Sequence, residues 1–330
     1  MSAIPGASVH EKFANFSIVQ TDYKKVGEHG IRADVLIPKD VPSGKRPVIV
    51  RFHGGSLVYG DSIYFADWFP PWLLELATKH GAVIISANYR FLPEATGVEI
   101  LSDVDDVWSW LHSTELSNLL STVVGLELDL DRILAAGESA GGVLSLYLAL
   151  THPDEIRAAT VAYPMVNIDP PALYTPSKSE LLPFVPESVI EEHLQSVKPG
   201  DVESSSMTPQ RTELAAACFQ HNKILDFYVR GTETSPLHRD RLFQTQRLES
   251  PGQKLPRGGI AIIHGAEDDM VMAEASRRFV SKAREVLKDG QGNRVVLSVQ
   301  PGGHGFDAAA SLDEPWLSEV LKIAVDTWVE

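Results

Sequence analysis

Six short runs of β-branched and apolar residues recur along the chain: RPVIVRF (46–52), GAVIISANYR (81–90), DRILAAGE (131–138), IRAATVAYP (156–164), GGIAIIHG (258–265) and RVVLSVQ (294–300). They read as near-continuous core, not as an in/out alternation, which is the pattern of strands covered on both faces. Segments with apolar residues at helical spacing lie among them: PPWLLELATKH (70–80), EILSDVDDVWSWLHS (99–113), AEASRRFVSKAREVL (273–287) and EPWLSEVLKIAVDTWV (314–329). In the first of these, Trp72, Leu73, Leu76 and Ala77 share one face. Parallel strands need long crossovers, usually helical, so this alternation predicts an α/β chain with helices on both faces of a mostly parallel sheet. Two earlier runs, FSIVQTDYKKV (16–26) and IRADVLIP (31–38), flank a turn at Gly27 to Gly30 and read as paired strands. They bring the expected sheet to eight strands.

Residues 166–256 break this rhythm, being rich in proline and serine with no convincing strand. Thr208-Pro209 and Ser235-Pro236 each set an N-cap residue before a proline at the first helical position. Between them TELAAACFQHNKILDFYV carries apolar residues at helical spacing, and Pro186 opens a shorter candidate helix through Val189, Ile190 and Leu194. The expected plan is a core of residues 1–165 and 257–330, with 166–256 inserted as a helical lid.

The net charge of -15 argues against a nucleic-acid or anionic-membrane partner, since phosphate contacts need clustered Lys and Arg. One cysteine, Cys218, excludes an internal disulfide and fits a reducing compartment. The N-terminal MSAIPGASVHEKFANF lacks a basic start and a long apolar stretch, and no apolar run reaches the roughly 18 residues of a membrane span. The expectation is a soluble, cytoplasmic protein, in which the sequon at Asn15 stays unmodified.

Residues 137–142, GESAGG, lie where a strand-like run gives way to a helix-like one. Small residues there could serve tight packing alone. In a G-x-S-x-G turn, however, the serine is held exposed on a strained strand-to-helix elbow, the setting of a nucleophile. A nucleophile at Ser139 requires an acid and then a histidine downstream, each after a strand. HGAEDDMV (264–271) supplies acids at a strand end, and beyond them the chain holds a single histidine, His304, directly after RVVLSV. Asp268 is the expected acid and Asp269 the alternative; a run of acids at a helix start also suits the helix dipole without any catalysis. His53-Gly54-Gly55-Ser56 follows the strand PVIVRF, and its glycines allow close backbone approach to a substrate. The amides of Gly54, Gly55 and Ala140 are the expected oxyanion donors. Neither HGAEDD (264–269) nor DVDD (103–106) has metal-ligand spacing, so no cofactor is expected.

In these motifs the chain resembles the hormone-sensitive-lipase-like branch of the α/β-hydrolases, which includes carboxylesterases and arylacetamide deacetylase. The matching pieces are HGGSLVYGD (53–61), ANYRFLPE (87–94), SDVDDVWSWL (102–111), GESAGG, HGAEDDMV and GGHGFD (302–307). The resemblance implies an α/β-hydrolase fold, a Ser139–His304–Asp268 triad, and Arg90 and Glu94 in a structural polar network. It also allows a homodimer through the last strand and helix. Ser56 stands in place of a third glycine, and with the first expected strand starting at residue 16 the expectation is a lid without the family's helical N-terminal part. The expected activity is hydrolysis of a small hydrophobic ester through an acyl-enzyme. The rival readings are thioester or lactone cleavage, deacetylation or dehydration in a biosynthetic step, and a peptidase or formamidase. A non-catalytic receptor is disfavoured by the presence of His304. Ser56, Tyr59, Phe91, Tyr163 and Met165 are the candidate pocket residues, core packing being the alternative for the last four.

Overall fold

The computed structural model describes residues 11–63, 66–166, 183–232 and 241–330. Eight strands form one sheet: β1 (Phe16–Val26), β2 (His29–Pro38), β3 (Gly44–Phe52), β4 (Val83–Ala87), β5 (Leu126–Glu138), β6 (Ile156–Ala162), β7 (Ile260–Gly265) and β8 (Val295–Gln300). Their order is β1-β2-β4-β3-β5-β6-β7-β8. β2 pairs antiparallel with β1 and β4, and every other pairing is parallel.

The continuous apolar runs work because successive side chains face opposite layers. Val48, Val50, Phe52, Ile133 and Ala135 join one core with α2 (Gly97–Leu111), α3 (Thr114–Val124), α4 (Ala140–Thr151) and α8 (Ala273–Val286). Their neighbours Ile49, Leu134 and Ala136 join a second core with α1 (Pro71–His80) and α9 (Pro315–Val329). The face foreseen on α1 is buried as expected, together with Leu74. α3 was not foreseen, because its serines and threonines dilute the apolar spacing.

Between β6 and β7, α5 (Ser188–Ser196), α6 (Pro209–Gln220) and α7 (Lys223–Val229) are helical, followed by a single helical turn at Gln244–Arg247. The Thr208 side chain accepts from the Arg211 amide and caps α6 as expected. The stretch 212–229 is two helices, not one: Asn222 takes a left-handed φ of 55° and breaks the run. On α5, Ile190 is buried but Leu194 is exposed. The helix start at Ser235-Pro236 lies outside the described residues. No helix among the described residues is long and apolar enough to cross a membrane.

Candidate active site

Strand β5 ends at Glu138 and α4 begins at Ala140, leaving Ser139 alone at the junction with φ 53° and ψ −118°. A non-glycine residue rarely adopts positive φ, and the surroundings hold it there. The Ser139 amide donates to Ala162 O, and its carbonyl accepts from the amides of Gly142 and Met165. Two glycines make the turn fit. A Cβ on Gly137 would lie 2.4 Å from Gly141 O, and one on Gly141 would lie 2.0 Å from Phe52 O. Glu138 is locked by a buried two-point pair: Arg51 Nε and Nη2 each donate to it at 2.9 Å. Burial still pushes this carboxyl up to about 7, against the pull of Arg51.

Ser139 Oγ lies 3.1 Å from His304 Nε2, and His304 Nδ1 lies 2.8 Å from Asp268 Oδ2. The other Asp268 oxygen accepts from the amides of Met270 and Val271 at 3.0 and 2.8 Å. Burial alone would raise this carboxyl. Its bonds from His264 and His304, the charge of His304 and the Val271 amide outweigh burial and hold it at about 2. Asp269, by contrast, has a buried Oδ1 without a partner among the described residues. Among the described residues no hydrogen bond joins it to the imidazole of His304.

His264, near the end of β7, buttresses Asp268. Its Nδ1 accepts from Ser276 Oγ at 2.8 Å, while Nε2 donates to Val271 O at 2.6 Å and lies 3.3 Å from Asp268 Oδ2. The position four residues before Asp268 was the only signal available for this role.

A cavity of about 190 Å³ opens beside Ser139 and His304. Gly54, Gly55, Ser56 and Tyr59 form one wall. Among the described residues the amides of Gly54, Gly55 and Ala140 have no protein acceptor. Ala140 is the first residue of α4, where amide hydrogens point along the positive end of the helix dipole. Ser56 and the following Leu57 both take left-handed φ, 56° and 63°.

Three expected wall residues are elsewhere. Phe91 is fully buried beneath the loop, its ring 5.9 Å from His53 and 5.6 Å from Tyr89. Met165 packs in the core behind the elbow. Tyr163 is buried with its ring 4.6 Å from His304, supporting the imidazole but not lining the cavity. The strand-end placement of these residues was a true signal of proximity, but their apolar bulk is spent on packing.

Thr212, Ala215, Ala216 and Phe219 also line the cavity, as do Trp68, Glu138 and Met270. Positions 212, 215, 216 and 219 follow the i, i+3, i+4, i+7 stripe of one helix face, here α6. That stripe was legible as helical; which cavity it faced was not.

A family model described as alpha/beta hydrolase fold matches residues 49–257. The chain is 30% identical to a probable carboxylesterase of Phoma sp. over 98% of this chain and 99% of that one. It is also 28% identical to a non-reducing polyketide synthase of Emericella nidulans, over 92% of this chain but only 13% of the synthase. Among solved structures, Thermogutta terrifontis esterase 2 phosphonylated by sarin matches with a TM-score of 0.57 at 18% identity. That match covers 98% of this chain and 94% of the esterase.

Proposed function

The chain belongs to the α/β-hydrolase fold family, and on that premise we propose that it is a carboxylic ester hydrolase working through Ser139, His304 and Asp268. The observation that carries the reading is the unbroken relay from Ser139 Oγ to His304 at 3.1 Å and on to Asp268 at 2.8 Å. Ser139 attacks the ester carbonyl while His304 Nε2 takes its proton, and Asp268 holds the Nδ1–H tautomer and balances the imidazolium. The carbonyl oxygen becomes an oxyanion held by the amides of Gly54, Gly55 and Ala140. The imidazolium then protonates the leaving alcohol, giving an acyl-Ser139. A water deprotonated by His304 releases the acid and restores the serine.

The cavity bounds the substrate. About 190 Å³ is below the roughly 300–1,000 Å³ of most ligand pockets. With a largely apolar lining it suits a short acyl chain on a small alcohol or aryl group. A second reading is favoured by the likeness to part of a polyketide synthase: the same machinery acting on a thioester or lactone. A panel of p-nitrophenyl esters from acetate to decanoate, run beside thioesters and lactones, separates the two. Ser139→Ala should remove all of this activity, and a fluorophosphonate should label the wild type once, at Ser139. Full esterase activity in the alanine variant would refute the mechanism.

A further inference from the structure

We infer that Arg211, on the inserted helix α6, is a positioning residue that sets the loop carrying the oxyanion amides. This inference rests on the esterase reading above. Arg211 is buried and donates in four directions. Nε reaches Val58 O at 2.6 Å and Nη2 reaches Leu92 O at 2.7 Å, while Nη1 and Nη2 bind the two Glu94 oxygens at 2.7 and 2.8 Å. Glu94 also meets His193 of α5 at 2.8 Å. Burial opposes its ionisation, yet His193 and Arg211 bring its carboxyl down to about 2, so the clamp is charged on both sides.

The Val58 contact links this clamp to chemistry. Val58 sits in a tight turn whose amides at 58 and 59 both donate to Gly55 O, at 2.9 and 3.1 Å. Gly55 has no slack, because a Cβ there would lie 1.9 Å from Tyr59 O. The Val58 carbonyl and the Tyr59 amide share one peptide, so a displacement of that carbonyl passes to Gly55 O and, across Gly55 Cα, to the peptide that carries the Gly55 N–H. A second tie comes from the same inserted segment: Gly60 and Ser206 exchange backbone hydrogen bonds at 2.9 and 3.0 Å. The loop is thus held from its far side by inserted residues, and Arg211 places the α6 wall and the amide donors in one fixed relation.

A clamp that only kept α6 in place would act on substrate binding, raising KM. A residue that positions the oxyanion amides acts on the transition state, lowering kcat. Arg211→Lys keeps a charge for Glu94 but cannot span Val58, Leu92 and Glu94 together. Glu94→Gln leaves the guanidinium on Val58. The expected result is a kcat loss of roughly 10- to 100-fold in Arg211→Lys with KM within about threefold. An alkylboronic acid, which forms a tetrahedral adduct on serine, should lose affinity in parallel. Glu94→Gln should lose clearly less kcat. Equal losses in the two variants, or a change confined to KM, would overturn the inference. Fluorophosphonate labelling keeps the two levels apart: a wild type that does not label at Ser139 refutes the esterase reading and this role with it. Normal wild-type labelling with unchanged kcat in Arg211→Lys refutes this role alone.

Discussion

Asp268→Asn tests the choice between adjacent acids. In the native site Asp268 Oδ1 accepts two backbone amides, and Oδ2 faces the ring nitrogens of His304 and His264. An asparagine that keeps its oxygen toward the amides turns its NH2 toward those rings. Two donors then meet at His304 Nδ1, and the imidazole relieves the clash by moving its proton to Nε2. That tautomer cannot take the proton of Ser139, so kcat should fall by roughly 10⁴. Stability should fall too. The carboxyl is held at about 2 against an ordinary 3.8, which corresponds to about 2.5 kcal/mol favouring the charged form. Because the folded value is depressed, that contribution is complete above 3.8 and disappears as pH falls through 2. Urea unfolding at pH 7 should therefore show Asp268→Asn less stable by a similar amount, with kcat for p-nitrophenyl butyrate measured on the same preparation. Asp269→Asn should stay within about threefold in kcat. If the losses fell on Asp269→Asn instead, the relay drawn here would be wrong.

Three further outcomes are expected. Gly141→Ala drives a Cβ to 2.0 Å from Phe52 O and 2.5 Å from His53 O, so backbone must move; stability and kcat should both fall, the former by several kcal/mol in a denaturant titration. Ala216→Phe, which fills the α6 wall, should cut the hexanoate-to-acetate ratio of kcat/KM at least tenfold, and Phe219→Ala should raise it, as read from the ester panel. His53 is fully buried, and burial depresses its imidazole from 6.5 to about 4, opposed by its bond to the Gly54 carbonyl. A depressed folded value means its stabilisation is intact above pH 6.5 and is lost as pH falls toward 4. The loss is about 3 kcal/mol at most and is measurable as a pH-dependent unfolding midpoint that flattens in His53→Asn.

The layered α/β plan was legible because a doubly covered sheet imposes its signature on every strand. Runs such as VIVRF and GIAIIHG cannot be mistaken when both faces need apolar side chains. Residues 139, 268 and 304 stood out for a related reason: each sits at the end of a parallel strand, where order along the chain converts directly into proximity. What stayed hidden depends on contacts between elements distant in sequence. Nothing in α6 alone says that Thr212 and Phe219 face Ser139, and nothing near Arg211 points to Val58, 153 residues earlier. Phe91, Tyr163 and Met165 take the packing alternative left open for them, because strand-end position gives distance from the site but not the direction of the side chain. Glu138, to which the motif alone assigns no chemistry, is the partner of Arg51, a pairing set across 87 residues.

One helix supplies four positions of the cavity wall, and none of them lies in the sheet. Substrate preference is therefore open to drift by point substitution on α6 without disturbing the elbow, the acid or the base. The same helix carries Arg211, one residue before the first wall position. An α-helix turns by about 100° per residue, so a single residue inserted between Arg211 and Thr212 would rotate the wall out of the cavity or the guanidinium off Val58. Descendants of this sequence should vary the cavity-facing letters of α6 while keeping Arg211 and the length of the helix, and engineers recombining segments between relatives should place their junctions before Thr208 and after Asn222.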